Sequence, residues 1–143
     1  MKHIDANGMY IGNNSFIGNF KLFLCIFIMM DTYSEDRPWG SFKKFHENQQ
    51  CTVKLIYINP EARLSLQYHR ERWEFWEIIK GIAEVQLDGI SHILKERENI
   101  TIPTGSRHRV KALGGLCIIL EISYGRFNEN DIVRVEDDYQ RSK

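Results

Sequence analysis

Two histidines, a glutamate and a glutamine occur at spacings that suit a metal site with mixed nitrogen and oxygen ligands. Gln67 and His69 are two residues apart, so on a strand their side chains would point to the same face. Glu74 follows five residues after His69, and His108 lies three residues after Gly105, beyond a Pro-Thr-Gly turn. A hairpin and a returning strand would bring the four side chains together inside a barrel. Such ligands bind zinc, manganese, iron or nickel, and we expect zinc.

The pattern around these residues extends over two longer motifs. The first is Gln67-x-His69-x4-Glu74-x6-Gly81, and the second is Pro103-x-Gly105-x2-His108. Together they resemble the two motifs of the cupin family, with glutamine in place of the first histidine of the first motif. The resemblance implies a small double-stranded β-helix barrel with a metal at its centre.

Further segments in chain order make the resemblance more specific. They are Arg37-Pro38-Trp39-Gly40, Leu64-Ser65-Leu66-Gln67-Tyr68-His69, Arg72-x-Glu74-x-Trp76, Ile102-Pro103-x-Gly105-x2-His108-Arg109 and Asp131-Ile132-Val133-Arg134-x-Glu136-Asp137-Asp138-Tyr139-x-Arg141. From about Arg37 to Arg141 the chain resembles the type II mannose-6-phosphate isomerase family. That family is the cupin domain at the C-terminus of bifunctional mannose-1-phosphate guanylyltransferase/mannose-6-phosphate isomerases.

The resemblance implies a reaction and a set of residues for it. The reaction is the interconversion of mannose 6-phosphate and fructose 6-phosphate, which moves a proton between C1 and C2 through a cis-enediol. The base predicted for this step is Glu121, in the strand-like segment LCIILEIS, with Glu71 as a second candidate. Arg72 and Arg109 are predicted to bind the phosphate of this phosphosugar, because guanidinium groups match phosphate geometry. The alternative for Glu121 is a solvated glutamate at the barrel rim without a catalytic role. The alternative for Arg72 and Arg109 is that each forms a surface ion pair and does not bind phosphate.

Four positions depart from the family pattern and keep other functions open. Glu61 replaces a glycine that opens the first motif, Glu71 replaces a basic residue or histidine, Phe75 replaces a common histidine, and Ala112 replaces an asparagine. One alternative is a non-catalytic sugar-binding or regulatory cupin. Another is a cupin enzyme of different chemistry, such as a non-haem iron oxygenase, since two histidines and a carboxylate also suit that iron and fold alone does not set chemistry.

Short strands separated by turn signals are predicted to position these residues. Asn59-Pro60, Asp88-Gly89, Pro103-Thr104-Gly105 and Gly114-Gly115 mark turns, and Gly81 is predicted to end a strand. The predicted strands are Cys51–Ile58, Leu64–Tyr68, Trp73–Lys80, Ile82–Leu87, Ile90–Lys95, Ile100–Ile102, His108–Ala112 and Leu116–Tyr124. This pattern is typical of an all-β sandwich or barrel, here a cupin jelly roll, and only the tail from Glu129 to Arg141 could hold a short helix or remain irregular.

Composition limits the classes of partner. The 143 residues include 19 basic and 19 acidic side chains, so the formal net charge is zero. A neutral chain lacks the basic field of a general nucleic-acid binder or a polybasic membrane-surface protein. Three widely spaced cysteines without a C-x-x-C pair predict reduced, mostly buried thiols and hence a cytoplasmic protein. We expect a homodimer, because cupins often pair through strands.

The first 36 residues are interpreted as an N-terminal extension, and residues 37–143 as the cupin domain. The apolar run from Leu22 to Met30 is shorter than the roughly 20 residues of a membrane-spanning helix. It could be an extra element packed on the domain or on a partner subunit, a weak targeting signal, or an artefact if translation starts at Met29 or Met30. A guanylyltransferase domain is not expected, because so short a segment cannot form one.

Overall fold

The architecture of residues 32–141 is described by a computed structural model. The apolar run from Leu22 to Met30, Cys25 and the alternatives considered for that run lie outside these residues. Within the described part of the chain, no helix is long and apolar enough to cross a membrane.

The described residues form an almost entirely β structure, which confirms the all-β prediction. Its strands are β1 (Tyr33–Arg37), β2 (Gly40–Lys44), β3 (Cys51–Ile58), β4 (Leu66–Tyr68), β5 (Arg72–Leu87), β6 (Ile90–Lys95), β7 (Asn99–Ile102), β8 (His108–Gly125) and β9 (Val133–Glu136). A single turn of 3-10 helix spans Glu129–Asp131. All strand pairs are antiparallel, as expected for hairpin and jelly-roll connections.

Two long strands, β5 and β8, form the centre of the larger sheet. They pair with each other from Arg72 opposite Gly125 to Leu87 opposite His108. The other edge of β5 pairs with β7 and β6, while the other edge of β8 pairs with β3 and β4. The short strand β9 then pairs with β4. The motif residues on β4, β5 and β8 therefore lie on neighbouring strands.

The long strands β5 and β8 continue through glycines at which the sequence predicted separate strands. Asp88 and Gly89 both have positive φ, at 47° and 86°, as the predicted type I′ hairpin requires. Gly81 does not end a strand, because β5 continues through it with register shifts between Ile78 and Ile82. Gly114 likewise lies within β8, with φ at 73°. Isolated glycines in a strand permit a bulge and a bend, so the predicted pairs of short strands are single bent strands.

We predict that Gly81→Ala destabilises the protein more than Gly89→Ala. Their φ values are nearly equal, 87° and 86°, so both changes introduce similar left-handed strain of about 1 kcal/mol. Only at Gly81 would the new Cβ lie 2.5 Å from the carbonyl oxygen of Leu116, whereas nothing lies within 4 Å at Gly89. Overpacking adds about 1–3 kcal/mol at Gly81. Urea unfolding measures both losses, and equal losses would contradict this account.

The two faces of β5 pack against different parts of the molecule. Trp76 and Ile78 point inward and belong to the main core with Ile119 of β8. Phe75 points outward and packs against Phe45, which follows the β1–β2 hairpin, with ring centroids 5.8 Å apart. Around Phe75 and Glu77 the outer face of β5 thus packs against Phe45 and Lys43, while the inner face lines the barrel.

Cys117 and Cys51 are both free thiols in the described part of the chain, in agreement with the expectation for these two cysteines. Cys117 is buried in the core, whereas Cys51 is half-buried at the start of β3. Burial raises the pKa of the Cys117 thiol, which keeps it protonated and poorly nucleophilic.

The ends of the described region contain two elements that the sequence analysis did not predict. Strand β1 begins at Tyr33 and pairs with β2, so the boundary placed after residue 36 falls inside this hairpin. In the tail, the short helical turn is followed by β9, which pairs with β4. Arg63 forms an ion pair with Asp138, and Tyr139 donates to the Arg63 carbonyl, so the tail is held against the barrel.

Candidate functional site

A histidine–glutamate–histidine cluster lies inside the barrel. His69 follows β4, Glu74 is the third residue of β5, and His108 begins β8. All three are buried, and one ligand atom from each lies within 4.8 Å of the others. His69 Nε2 is 3.1 Å from Glu74 Oε1, and His108 Nε2 is 3.7 Å from Glu74 Oε2. Two imidazoles and a carboxylate so arranged are a set of ligands for a divalent metal.

The hydrogen bonds around the cluster leave buried ligand atoms without partners. His108 Nδ1 is 2.9 Å from the carbonyl oxygen of Ser106, which fixes the tautomer with the proton on Nδ1. Among the described residues, His108 Nε2, Glu74 Oε2 and His69 Nδ1 are buried without a hydrogen-bond partner. Such atoms are costly to bury unless something binds them. A metal ion bound in the cluster would satisfy His108 Nε2 and Glu74 Oε2, so these residues fit such an ion.

The protonation states of the cluster also suit a cation. Burial works to raise the pKa of Glu74, but the hydrogen bond from His69, the neighbouring imidazoles and Arg72 outweigh burial and hold this pKa at about 2. Burial lowers the pKa of His108 below its usual value of 6.5. Near neutral pH the carboxylate is therefore ionised and the His108 ring is neutral, as metal binding requires.

Arg72 is bound within the cluster. Its Nε donates to Glu74 Oε1 at 2.9 Å, and its Nη1 donates to the carbonyl of Asn128 at 3.1 Å. Its Nη2 lies 3.2 Å from His69 Nε2. Since the guanidinium is buried and occupied in this way, it orients Glu74 and leaves Oε2 of that carboxylate for an ion.

Glu121 lies on the same inner face, near the cluster. It is buried on β8, directly opposite Trp76 of β5 and Lys54 of β3. Ser123 Oγ donates to Glu121 Oε1 at 3.1 Å, and Lys54 Nζ is 3.7 Å from the same oxygen. Burial, together with the negative charge of Glu74, raises the pKa of Glu121 above its usual 4.5. A carboxyl group with a raised pKa in a barrel interior can accept and return a proton.

The other residues predicted from the sequence lie in different places. Gln67 is opposite His108 on the adjacent strand and therefore on the same face, but its amide oxygen accepts a hydrogen bond from Ser65 at 2.8 Å. Glu71 is exposed at the turn before β5, with Arg126 Nε 3.8 Å away. The structure brings Gln67 near the cluster and leaves Glu71 at the rim.

Arg109 lies on the opposite face of β8 from His108, because adjacent residues of a strand alternate in direction. It is opposite Gln86 and forms an ion pair with Glu136 of β9. The surrounding outer cavity, of about 210 Å³, is lined by Arg63, Glu84, Gln86, Ser91, Arg109 and Lys111. Arg109 is therefore not part of the inner site.

The departures from the family pattern leave the inner cluster intact. Phe75 points to the outer face, so a histidine at this position would not face Glu74 either. Ala112 is fully buried in the apolar core, opposite Ala83. Glu61 adopts a φ of 60°, which a glycine would tolerate more easily, and its carboxylate accepts a hydrogen bond from the Gly114 amide at 2.8 Å. The turn thus keeps the conformation of a glycine turn.

Lys54 was missed by the sequence analysis. It lies at 33% side-chain exposure beside Glu121, on the inner face of β3 with Ile56 and Ile58. The signal was present in the alternation of CTVKLIYI, since a lysine occupies a position two residues before Ile56 on the apolar face. Trp76 is buried, and its ring meets that of His108 edge-on with centroids 5.4 Å apart, so it lines the barrel interior beside the cluster.

Comparison with protein families and curated relatives adds independent information. A family model described as "Mannose-6-phosphate isomerase C-terminal" matches residues 29–137. XanB of Xanthomonas campestris, a xanthan biosynthesis protein, is 40% identical over 108 residues, and AlgA of Pseudomonas aeruginosa, an alginate biosynthesis protein, is 39% identical over 108 residues. These alignments cover 74% of this chain but only 23% and 22% of those proteins. The chain thus spans less than a quarter of the length of these relatives.

Solved structures with low sequence identity share the fold. CapF, a capsular polysaccharide assembling protein of Staphylococcus aureus, gives a TM-score of 0.57 at 18% identity over 73% of this chain and 34% of its own. The sugar epimerase NovW of Streptomyces spheroides gives a TM-score of 0.58 at 9% identity, and the match covers 73% of this chain and 66% of NovW. The cupin domain of Schizosaccharomyces pombe Cnp3 gives a TM-score of 0.52 at 14% identity, and the match covers 66% of this chain and 64% of that domain. The barrel is a cupin fold, as the resemblance to the cupin family implied.

Proposed function

The chain belongs to the mannose-6-phosphate isomerase C-terminal family, and from this premise we propose that it is a metal-dependent aldose–ketose isomerase that interconverts mannose 6-phosphate and fructose 6-phosphate. The observation that carries the proposal is the buried cluster of His69, Glu74 and His108 with Glu121 on the same inner face. The names of the relatives, which refer to xanthan and alginate biosynthesis, support a role in carbohydrate metabolism.

The three clustered residues would hold a divalent ion, for which zinc is our choice. His108 Nε2 and Glu74 Oε2 are buried and unpartnered and would be two of its ligand atoms, and Gln67 on the adjacent strand is the proposed fourth ligand. A divalent ion bound there would polarise the sugar oxygens at C1 and C2 and stabilise the negative charge of the enediolate. Arg72 and Ser106 position Glu74 and His108 through their hydrogen bonds.

Glu121 is the proposed proton carrier. One carboxylate oxygen is held by Ser123, and the carboxylate would remove the proton at C2 of mannose 6-phosphate and return it to C1. Its raised pKa favours this role, since a base whose pKa is nearer the working pH can both take and release a proton. Glu71 is exposed at the rim beside Arg126 and outside the barrel interior, which is why we prefer Glu121 to Glu71.

The proposal is tested by incubating purified protein with mannose 6-phosphate under nitrogen and measuring fructose 6-phosphate with a coupled assay. We expect product to form without oxygen, because isomerisation needs no oxidant. In a parallel reaction in air, consumption of oxygen by iron-loaded protein would instead identify the oxygenase alternative. Binding of the sugar phosphate without any turnover would identify a non-catalytic sugar-binding cupin.

A further inference from the structure

A cavity of about 490 Å³ opens where β3 begins and β8 ends. Its lining residues are Gln50, Cys51, Thr52, Gly125, Arg126 and Phe127. Thr52 is opposite Ser123 on β8, and Ser123 is opposite Glu74 on β5, so the three side chains share the inner face. Thr52 is thus two strand spacings, about 10 Å, from Glu74. This distance is comparable to the length of an extended hexose phosphate.

Two cationic side chains lie at this cavity. Arg126 lines it and is largely exposed, with Glu71 as an acidic neighbour at 3.8 Å. Lys54 adjoins it, because its ammonium lies 4.2 Å from the centre of the Phe127 ring, which also lines the cavity. Lys54 Nζ is 3.1 Å from Glu129 Oε1, an exposed carboxylate. Such exposed ion pairs contribute little to stability, so an incoming dianion can displace Glu129.

The two arginines predicted from the sequence to bind phosphate are less suited to it. Arg72 is buried, and its guanidinium contacts Glu74, His69 and the Asn128 carbonyl. Arg109 is on the outer face, bound to Glu136. A phosphate at Arg109 would therefore be separated from the metal cluster by the sheet itself.

We propose that this cavity binds the phosphate group of the sugar substrate, with Lys54 and Arg126 as its cationic ligands, while C1 and C2 reach the histidine–glutamate–histidine cluster. The proposal rests on the function proposed above and adds to it the site of phosphate recognition. Arg126 offers a planar fork for two phosphate oxygens, and Lys54 offers a point charge between the cavity and Glu121. Phe127, which contacts the cations of both Lys54 and Arg72, connects the cavity to the inner site.

The test compares Lys54→Met and Arg126→Gln with the matched control Lys111→Met. Lys111 has 35% side-chain exposure against 33% for Lys54 and is likewise paired with a glutamate, but it lies on the outer face. We expect each of the first two variants to raise KM for mannose 6-phosphate about tenfold to a hundredfold, the loss of one charged hydrogen bond. We expect Lys111→Met to leave KM unchanged. Because Lys54 also contacts Glu121, Arg126→Gln isolates phosphate binding from any change in kcat.

Calorimetric titration with mannose 6-phosphate and with mannose separates this proposal from the proposed isomerase activity. We expect the wild-type protein to bind the phosphorylated sugar more tightly, and the two variants to lose that preference, even if no turnover is found. Equal binding of both sugars by the wild type would overturn the phosphate site. So would an active Arg126→Gln variant with unchanged KM, although the isomerase proposal would then stand.

Discussion

His108→Ala is expected to lower the affinity for divalent metal by more than about a hundredfold and to abolish isomerase activity with it. Changes to residues that merely orient a ligand cost about tenfold to a hundredfold in affinity, so loss of a ligand should cost more. His108 Nε2 is buried without a partner, while its Nδ1 is held by the Ser106 carbonyl, so the side chain is prepared to donate one lone pair into the cluster. Metal content of the purified variant, measured by plasma emission spectrometry, checks this.

The control for this variant is His92→Ala. His92 is an exposed histidine on β6 that pairs with Val85 in the sheet, so its removal tests for adventitious metal binding by surface histidines. We expect His92→Ala to retain full metal content and full activity. Normal metal content in a folded His108→Ala protein would remove this residue from the site.

Glu121→Gln is expected to lower kcat by about 10²–10⁴-fold while metal content stays at the wild-type level. The range is that of general acid–base catalysis, and glutamine retains the shape of the side chain but cannot carry the proton. Since the active form of the base is the carboxylate, activity should rise with pH as Glu121 ionises. Because burial and Glu74 raise the pKa of Glu121, the midpoint of that rise should lie above 4.5, the ordinary value. A pH profile of kcat/KM for the wild-type protein measures it.

Glu77→Gln is the matched control for this second variant. Glu77 is also a buried glutamate that contacts a lysine, with Lys43 Nζ 2.5 Å from its Oε2, but it lies on the outer face of β5. Its removal should affect stability without lowering kcat. If Glu121→Gln and Glu77→Gln lower kcat equally, or if Glu121→Gln retains wild-type kcat, Glu121 is not the proton carrier.

Strand composition and turn dipeptides predicted much of the fold, because each depends on only a short segment of sequence. The β-branched and aromatic residues of CTVKLIYI and the Asn59-Pro60 turn after them gave the bounds of β3. Asp88-Gly89 gave the β5–β6 hairpin, since a type I′ turn requires positive φ at both positions. The continuity of β5 through Gly81 and of β8 through Gly114 could not be predicted from a short segment of sequence. A glycine that permits a bulge and a glycine that ends a strand look alike in sequence, and only the partner strand distinguishes them.

Some residues of the candidate site were predicted from the sequence and others were missed, for a related reason. His69, Glu74 and His108 belong to spaced motifs, and the structure brings the three together. Lys54 belongs to no motif, and its nearness to Glu121 depends on the pairing of β3 with β8, which aligns these two residues although they are 67 positions apart in the chain. Contacts between strands that are distant in sequence are the part of a β fold that local patterns do not specify.

The proposed phosphate ligands were also not predicted from the sequence. Arg109 is adjacent to His108 in sequence, yet the alternation of a strand directs it to the other face and toward Glu136. Arg126 comes after the end of β8 and reaches the cavity because Gly125, with φ at 104°, turns the chain there. A Cβ at Gly125 would lie 2.5 Å from the Glu71 carbonyl oxygen, so this close approach requires glycine.

The central claim is that a metal held by His69, Glu74 and His108 enables an aldose–ketose isomerisation. The most direct test measures fructose 6-phosphate formation from mannose 6-phosphate before chelation, after removal of divalent metal, and after zinc is added back. The account predicts that activity is lost with the metal and returns with it. Turnover that persists in protein shown to be free of metal would contradict it.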